Sequence, residues 1–116
     1  RDAKTLLGMI GVTVPDNIRC ITFEGPKEHP LIATELMMPI LGVVRAKDFD
    51  DAVEQAVWLE HGNRHSAHIH SKNVDNITKY AKAIDTAILV KNGPSYSGTW
   101  IRRRRLLYIY NCQQNW

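Results

Sequence analysis

The sequence predicts an α/β fold of the three-layer, parallel-sheet kind, and three observations carry that expectation. Strand and helix patterns alternate from residue 40 to residue 91 with short links between them. The strand patterns are apolar runs with branched residues, of the sort found in strands covered on both faces. The helix patterns repeat apolar residues at three- and four-residue spacing and begin on capping residues. A strand, a helix and a second strand in that order close as a right-handed crossover, so the series builds a parallel sheet. Three such strands need helices on both faces, and only one pair of helices lies in this stretch. A larger parent domain is therefore expected.

The elements follow from the residues in turn. "DAKTLLGMIGV" is a short helix weakened by Gly8 and Gly11. "IRCITFEG" alternates as a strand should, and Gly25-Pro26 ends it. "KEHPLIATELMMP" reads as a loop-like approach, with prolines at 30 and 39, to the apolar strand "ILGVVRA". "KDFDDAVEQAVWLEHG" is a helix: Asp48 caps it, Phe49, Val53, Ala56 and Val57 form its apolar stripe, and Gly62 stops it. Asp50 and Asp51 suit the positive helix start. "SAHIHS" alternates, placing Ala67 and Ile69 on one face and His68 and His70 on the other. Asn73 then caps a second helix with a stripe of Val74, Ile77, Ala81 and Ile84. "TAILVKNGPS" is a buried strand running into a turn.

Composition narrows the function classes. The 116 residues are 44% hydrophobic and 23% charged, values of a globular chain and not of a disordered one. No apolar run approaches the roughly 18–20 residues of a membrane span, and the start shows no signal-peptide pattern. The chain opens on Arg1, which fits a processed chain or a piece of a longer one. The net charge of +3 is misleading, because four of the fifteen basic residues are the run Arg102 to Arg105. Without them eleven basic residues face twelve acidic ones, so the body is not a polyanion-seeking domain. Cys20 and Cys112 have no metal or redox spacing, and a reduced, cytosolic protein is expected.

Few side chains invite chemistry on pattern alone. His61, His65, His68 and His70 cluster in sequence, and two imidazoles on one strand face could meet a metal. A third ligand at known spacing is missing, so no metal site is assigned. Cys20 sits in a strand pattern, not at a helix start or beside a base, and reads as a small core residue. Glu35 precedes a strand, whereas ligands in open α/β sheets gather beyond the carboxyl ends of strands. On pattern it is a solvated loop acid, and Met37 and Met38 are core filler.

The order "ELMMP", "EHGNRHSA", "IHSKN" and "VKNGPSY" nevertheless resembles a known family over roughly residues 1–99. It resembles the C-terminal part of the catalytic domain of an aldehyde dehydrogenase, and more closely the CoA-acylating acetaldehyde and propionaldehyde dehydrogenases of bacterial microcompartments. The resemblance implies that the parent oxidises a short-chain aldehyde with NAD through a cysteine thioester and passes the acyl group to coenzyme A. It implies that Glu35 and Pro39 are the cofactor-binding Glu-x-x-x-Pro motif, whose carboxylate holds the nicotinamide ribose. His65 matches a histidine followed by Thr or Ser, here Ser66, and would hydrogen-bond an acyl oxygen or manage a proton. Cys20 does not match the nucleophile, which the family carries upstream, so these residues alone are expected to be inactive. The parent is expected to be a homo-oligomer in the cytoplasm or inside a microcompartment, with no nucleic-acid or membrane partner.

The last residues depart from the family. After "NGPSYSGT" its members continue with a run like Gly-x-Gly-Gly-Glu-Gly-Tyr, where this chain has "WIRRRRLLY". Read one base later, Trp100 followed by Ile101 gives glycine, and arginine codons CGG-CGG-CGA-AGG give Gly-Gly-Glu-Gly. Residues 100–116 are therefore expected to be an out-of-frame, non-native tail. Two other readings stay open: a basic, aromatic nucleic-acid-binding tail, and a non-catalytic interaction or structural module that keeps the subdomain fold.

Overall fold

The structure, a computed structural model, describes residues 2–95, and these divide into two compact units on either side of Lys47 and Asp48. The proposed out-of-frame tail lies outside the described residues.

In the first unit, helix α1 (Ala3–Met9) starts where Asp2 accepts a hydrogen bond from the Thr5 amide at 2.7 Å. That bond holds the Asp2 carboxyl below its ordinary value. The helix ends at Ile10, and Gly11 follows with φ of 78°, a left-handed turn that glycine adopts without strain. Strand β1 (Ile21–Glu24) pairs in parallel with β2 (Ile40–Val43), Ile21 opposite Ile40 and Glu24 opposite Val43. Between them, residues 30–33 form a single helical turn, α2 (Pro30–Ala33). Pro30 suits a first helical position because it has no amide proton to lose, and His29 Nδ1 accepts from the Leu31 amide at 3.2 Å. Through Ile32 this turn covers Gly42 of β2.

Beyond the strand ends, Arg45 grips Glu24 with two parallel bonds, Nε to Oε1 at 3.0 Å and Nη2 to Oε2 at 2.7 Å. The hydrogen bonds first, and the guanidinium charge second, hold the Glu24 carboxyl below its ordinary 4.5. Because the folded value lies below the unfolded one, the stabilisation is fully present above pH 4.5 and is lost as pH falls through the folded value. Arg45→Gln is expected to flatten this acid limb in thermal melts across about pH 3–7. The loss should be largest at neutral pH, where it stays small because both groups are exposed and screened, and should vanish at the acid end.

The second unit is a strand–helix–strand crossover with one further helix. Helix α3 (Phe49–Glu60) begins where Asp48 accepts from the Asp51 amide at 2.9 Å and ends at left-handed His61 and Gly62. Strand β3 (Ser66–Ile69) leads to α4 (Val74–Ile84), capped by Asn73 on the Asp75 and Asn76 amides, and then to β4 (Ile88–Lys91). β3 and β4 pair in parallel, Ser66 opposite Ile88 and Ile69 opposite Lys91. Val53, Ala67, Ile69, Ile77, Tyr80, Ile84 and Leu89 form the core, with Phe49, Ala56 and Ala81 packed against it. Burial, and then the negative charge of Glu60, push the Tyr80 hydroxyl upward.

The α/β class and the parallel pairing are as the sequence predicts, whereas several details are not. The strand at 40–43 takes β1 as its partner, and β3 takes β4, giving two ladders of two strands. Leu41 and Val43 are exposed, because α2 covers only the Ile40 and Gly42 face of β2. Val74 stands at 71% exposure at the start of α4, outside the packed stripe, and Tyr80 takes its place in the core. Met37, at 98% exposure, and Cys20 are not core residues. Both lie in connecting segments outside the strands and helices of their unit.

Candidate active site

Two segments carry the side chains singled out by the sequence, one in each unit. In the first, Glu35 lies in the connection between α2 and β2, and Pro39 ends it. The Pro39 carbonyl accepts from the Ile21 amide at 2.8 Å, so this proline opens the parallel ladder and anchors the connection at the sheet. Glu35 is exposed, and its carboxylate has no hydrogen bond or ion pair among the described residues. An ionised carboxylate in that state offers both oxygens to donors from outside, such as a pair of vicinal hydroxyls.

In the second unit, His65 ends the loop between α3 and β3. Three loop residues, His61, Gly62 and Arg64, have left-handed backbones with φ of 54°, 78° and 54°. Arg64 pins the loop from several sides. Its amide donates to the Glu60 carboxylate, and its guanidinium meets Asp85 at 3.3 Å. Its carbonyl accepts from the Ala87 amide at 3.0 Å. The His65 carbonyl likewise accepts from the Ile88 amide at 3.0 Å, so the backbone under the imidazole is part of the ladder. The side chain itself is exposed, and Nδ1 lies 2.6 Å from Ser66 Oγ.

Glu35 and His65 thus both stand at the amino ends of parallel strands, each in its own unit, and not at the carboxyl ends where open α/β sheets usually bind ligands. His68 and His70 are exposed on and just beyond β3. Among the described residues no three His, Cys, Asp or Glu side chains converge as a metal site would need, and no helix is long and apolar enough to cross a membrane.

Two positions that sequence reasoning passed over organise the second unit's strand ends, one at the amino ends and one at the carboxyl ends. Arg64 is one. Asn92 is the other: its side chain accepts from the Ser71 amide at 2.8 Å and donates to the Ser71 carbonyl at 2.8 Å. Its own amide donates to Ile69 at 2.8 Å, and its backbone is left-handed with φ of 52°. Asn92 therefore clips the β3–α4 turn to the end of β4. The Asn-Gly pair after an apolar strand was the available signal, since asparagine tolerates the left-handed region.

No family model matches the chain. Over 98 residues it is 48% identical to the acetylating acetaldehyde dehydrogenase EutE of Salmonella typhimurium, covering 84% of this chain and 21% of that protein. A propionaldehyde dehydrogenase from the fucose utilisation bacterial microcompartment of Clostridium phytofermentans superposes with a TM-score of 0.84 at 76% identity, covering 91% of this chain and 24% of that one. The propionaldehyde dehydrogenase of Rhodopseudomonas palustris, solved with bound propionyl-CoA, superposes with a TM-score of 0.79 at 51% identity, covering 84% and 22%. The chain spans about a fifth of the length of the curated relatives it matches, 21% in the Salmonella case.

Proposed function

Because this chain belongs to the CoA-acylating aldehyde dehydrogenases, we propose that it is a part of the catalytic domain of one. The parent would convert a short-chain aldehyde, CoA and NAD to acyl-CoA and NADH. The observation that carries the reading is the exposed carboxylate of Glu35, without a partner among the described residues, in a connection held to the sheet by Pro39. Its unshared acceptors fit the ribose hydroxyls of a nicotinamide cofactor. NAD, when bound, accepts the hydride; the part of Glu35 is to orient the ribose, and that of Pro39 is to fix the loop. His65 is read as the group beside the acyl oxygen, where an imidazole can donate a hydrogen bond.

Neither Cys20 nor Cys112 is assigned as the nucleophile, which by the family resemblance lies in the remainder of the relatives' length. The isolated chain is accordingly read as inactive. A parent in the cytoplasm or in a microcompartment fits the relative from the fucose utilisation microcompartment, and a homo-oligomeric parent is what the family resemblance implies. Residues 100–116 are read as translated out of frame. The nucleotide sequence decides that point: arginine codons that cannot yield Gly-Gly-Glu-Gly one base later would end it.

A segment exchange tests the function. Residues 1–99 replace the corresponding segment of the full-length Salmonella enzyme, and NADH formation from acetaldehyde and CoA is followed. The chimera is expected to turn over, and Glu35→Gln within it should raise the KM for NAD about tenfold, the loss of one charged hydrogen bond. A folded chimera whose KM for NAD ignores Glu35→Gln would remove the assignment.

A further inference from the structure

We infer that Asn92 is a deamidation site, closing onto the Gly93 nitrogen whenever its clip on Ser71 opens.

The sequence supplies the reactive pair. An asparagine deamidates by attack of the following backbone nitrogen on its side-chain carbonyl carbon, and a glycine in that place has no Cβ to block the approach. Asn92 and Gly93 are such a pair. Asn92 is exposed, and the Gly93 amide, the nucleophile, has no hydrogen-bond partner among the described residues. Gly93 lies just beyond β4, so its nitrogen can move without breaking the ladder.

The step balances within the chain and water. The Gly93 nitrogen bonds to Asn92 Cγ, the Cγ–Nδ2 bond breaks, and Nδ2 leaves as ammonia with the proton that Gly93 gives up. Water then opens the cyclic imide at either carbonyl and leaves aspartate or isoaspartate in place of Asn92. Nothing is oxidised or reduced.

The fold holds this step back. The Ser71 amide donates to Asn92 Oδ1, and the Ser71 carbonyl accepts from Nδ2, both at 2.8 Å. A backbone amide only donates and a backbone carbonyl only accepts, so the partners fix which way the carboxamide faces. Ring closure needs Cγ to leave Ser71 and turn onto Gly93, which breaks both bonds first. Ser71 is seated in its turn, since its Oγ accepts from the Asn73 amide at 3.1 Å and Asn73 caps α4. Closure therefore waits on local opening of the β3–α4 turn.

The product cannot rebuild the clip. A carboxylate only accepts. One oxygen can keep the Ser71 amide, but the other then faces the Ser71 carbonyl, acceptor against acceptor. Isoaspartate also adds a methylene to the main chain after β4. A transient opening thus becomes permanent, and the turn stays unlatched from the end of β4.

The test incubates the full 116-residue chain at mildly alkaline pH, in buffer and in urea, and follows Asn92 by peptide mapping with mass spectrometry. In urea Asn92 is expected to convert to aspartate and isoaspartate. In buffer the conversion should be at least about tenfold slower, because two hydrogen bonds must open first. Asn73→Ala removes the cap that seats the turn and leaves the reactive pair untouched, so conversion in buffer should quicken about fivefold. Hydrogen exchange reads the clip itself: the Ser71 amide should be protected in the fresh chain and lose about tenfold of that protection once Asn92 has converted. An Asn92 that stays intact in urea ends the modification site. Equal rates in buffer and urea, no quickening in Asn73→Ala, an unprotected Ser71 amide in the fresh chain, or protection that survives conversion overturns the part given to the clip.

Discussion

Ile77→Ala is expected to destabilise the second unit by about 3 kcal/mol, within the 2–5 kcal/mol range of buried isoleucine truncations. Ile77 is 6% exposed and belongs to the cluster formed by Val53, Ala67, Ile69, Tyr80, Ile84 and Leu89. The alanine removes three carbons from the face of α4 that packs on the sheet, and the strands, held in register by their ladder, cannot collapse into the space. For a small domain of ordinary marginal stability, about 5–15 kcal/mol, this is a large share of the total. Urea denaturation followed by far-UV circular dichroism measures it as a fall in midpoint at constant slope. Val74→Ala is the control. The helical periodicity of the sequence places Val74 on the same stripe, yet it is 71% exposed, and its change should stay within about 0.5 kcal/mol. Equal effects at the two positions would mean that α4 is rotated on the sheet.

Gly42→Ala is expected to cost the first unit about 2 kcal/mol, as overpacking does. A Cβ at this position would lie 2.3 Å from Ile32 Cγ1 and 3.1 Å from Ile32 Cδ1. Cγ1 is attached directly to the branched carbon of Ile32, so the side chain cannot swing its tip aside, and α2 must lift from β2. The amides of Ile21 and Gly25, which bond Pro39 and Val43 across the ladder, should exchange faster with solvent. Ile32→Ala removes the clashing carbons, so the double variant should be less destabilised than the sum of the singles. A purely additive pair would show that α2 does not seat on Gly42. The same lift would move the connection that carries Glu35, and in the segment-exchange enzyme the KM for NAD should rise with the loss of stability.

Much of this molecule is legible in its sequence because much of it is local. Asp2, Asp48 and Asn73 each cap a helix within three residues of their own position, and a capping side chain announces itself by type. The alternation of "SAHIHS" assigns Ala67 and Ile69 to the core and His68 to solvent, which needs only the two-residue period of a strand. The turn at 30–33 was hidden for the opposite reason. Two prolines and a histidine look like loop, and only packing of Ile32 against Gly42 makes one helical turn worthwhile. Tyr80 was similarly hidden, since a tyrosine on an amphipathic helix can face either way until a sheet lies beneath it.

The site follows the same division. By itself the sequence determined the α/β class and the starts of α3 and α4, and its resemblance in motif order singled out Glu35, Pro39, His65 and Ser66 as candidates. It did so because caps, periodicity and motifs are short-range patterns. The tertiary structure alone decided which strand lies beside which, and with that the contacts between Glu24 and Arg45 and between Ser71 and Asn92, each pair 21 residues apart. It also decided the left-handed loop pinned by Arg64. Parallel pairing brings distant residues together through backbone hydrogen bonds, which carry no side-chain signature. For that reason His65 could be singled out from its motif, while the tie of its backbone to β4 appeared only once β3 and β4 were paired.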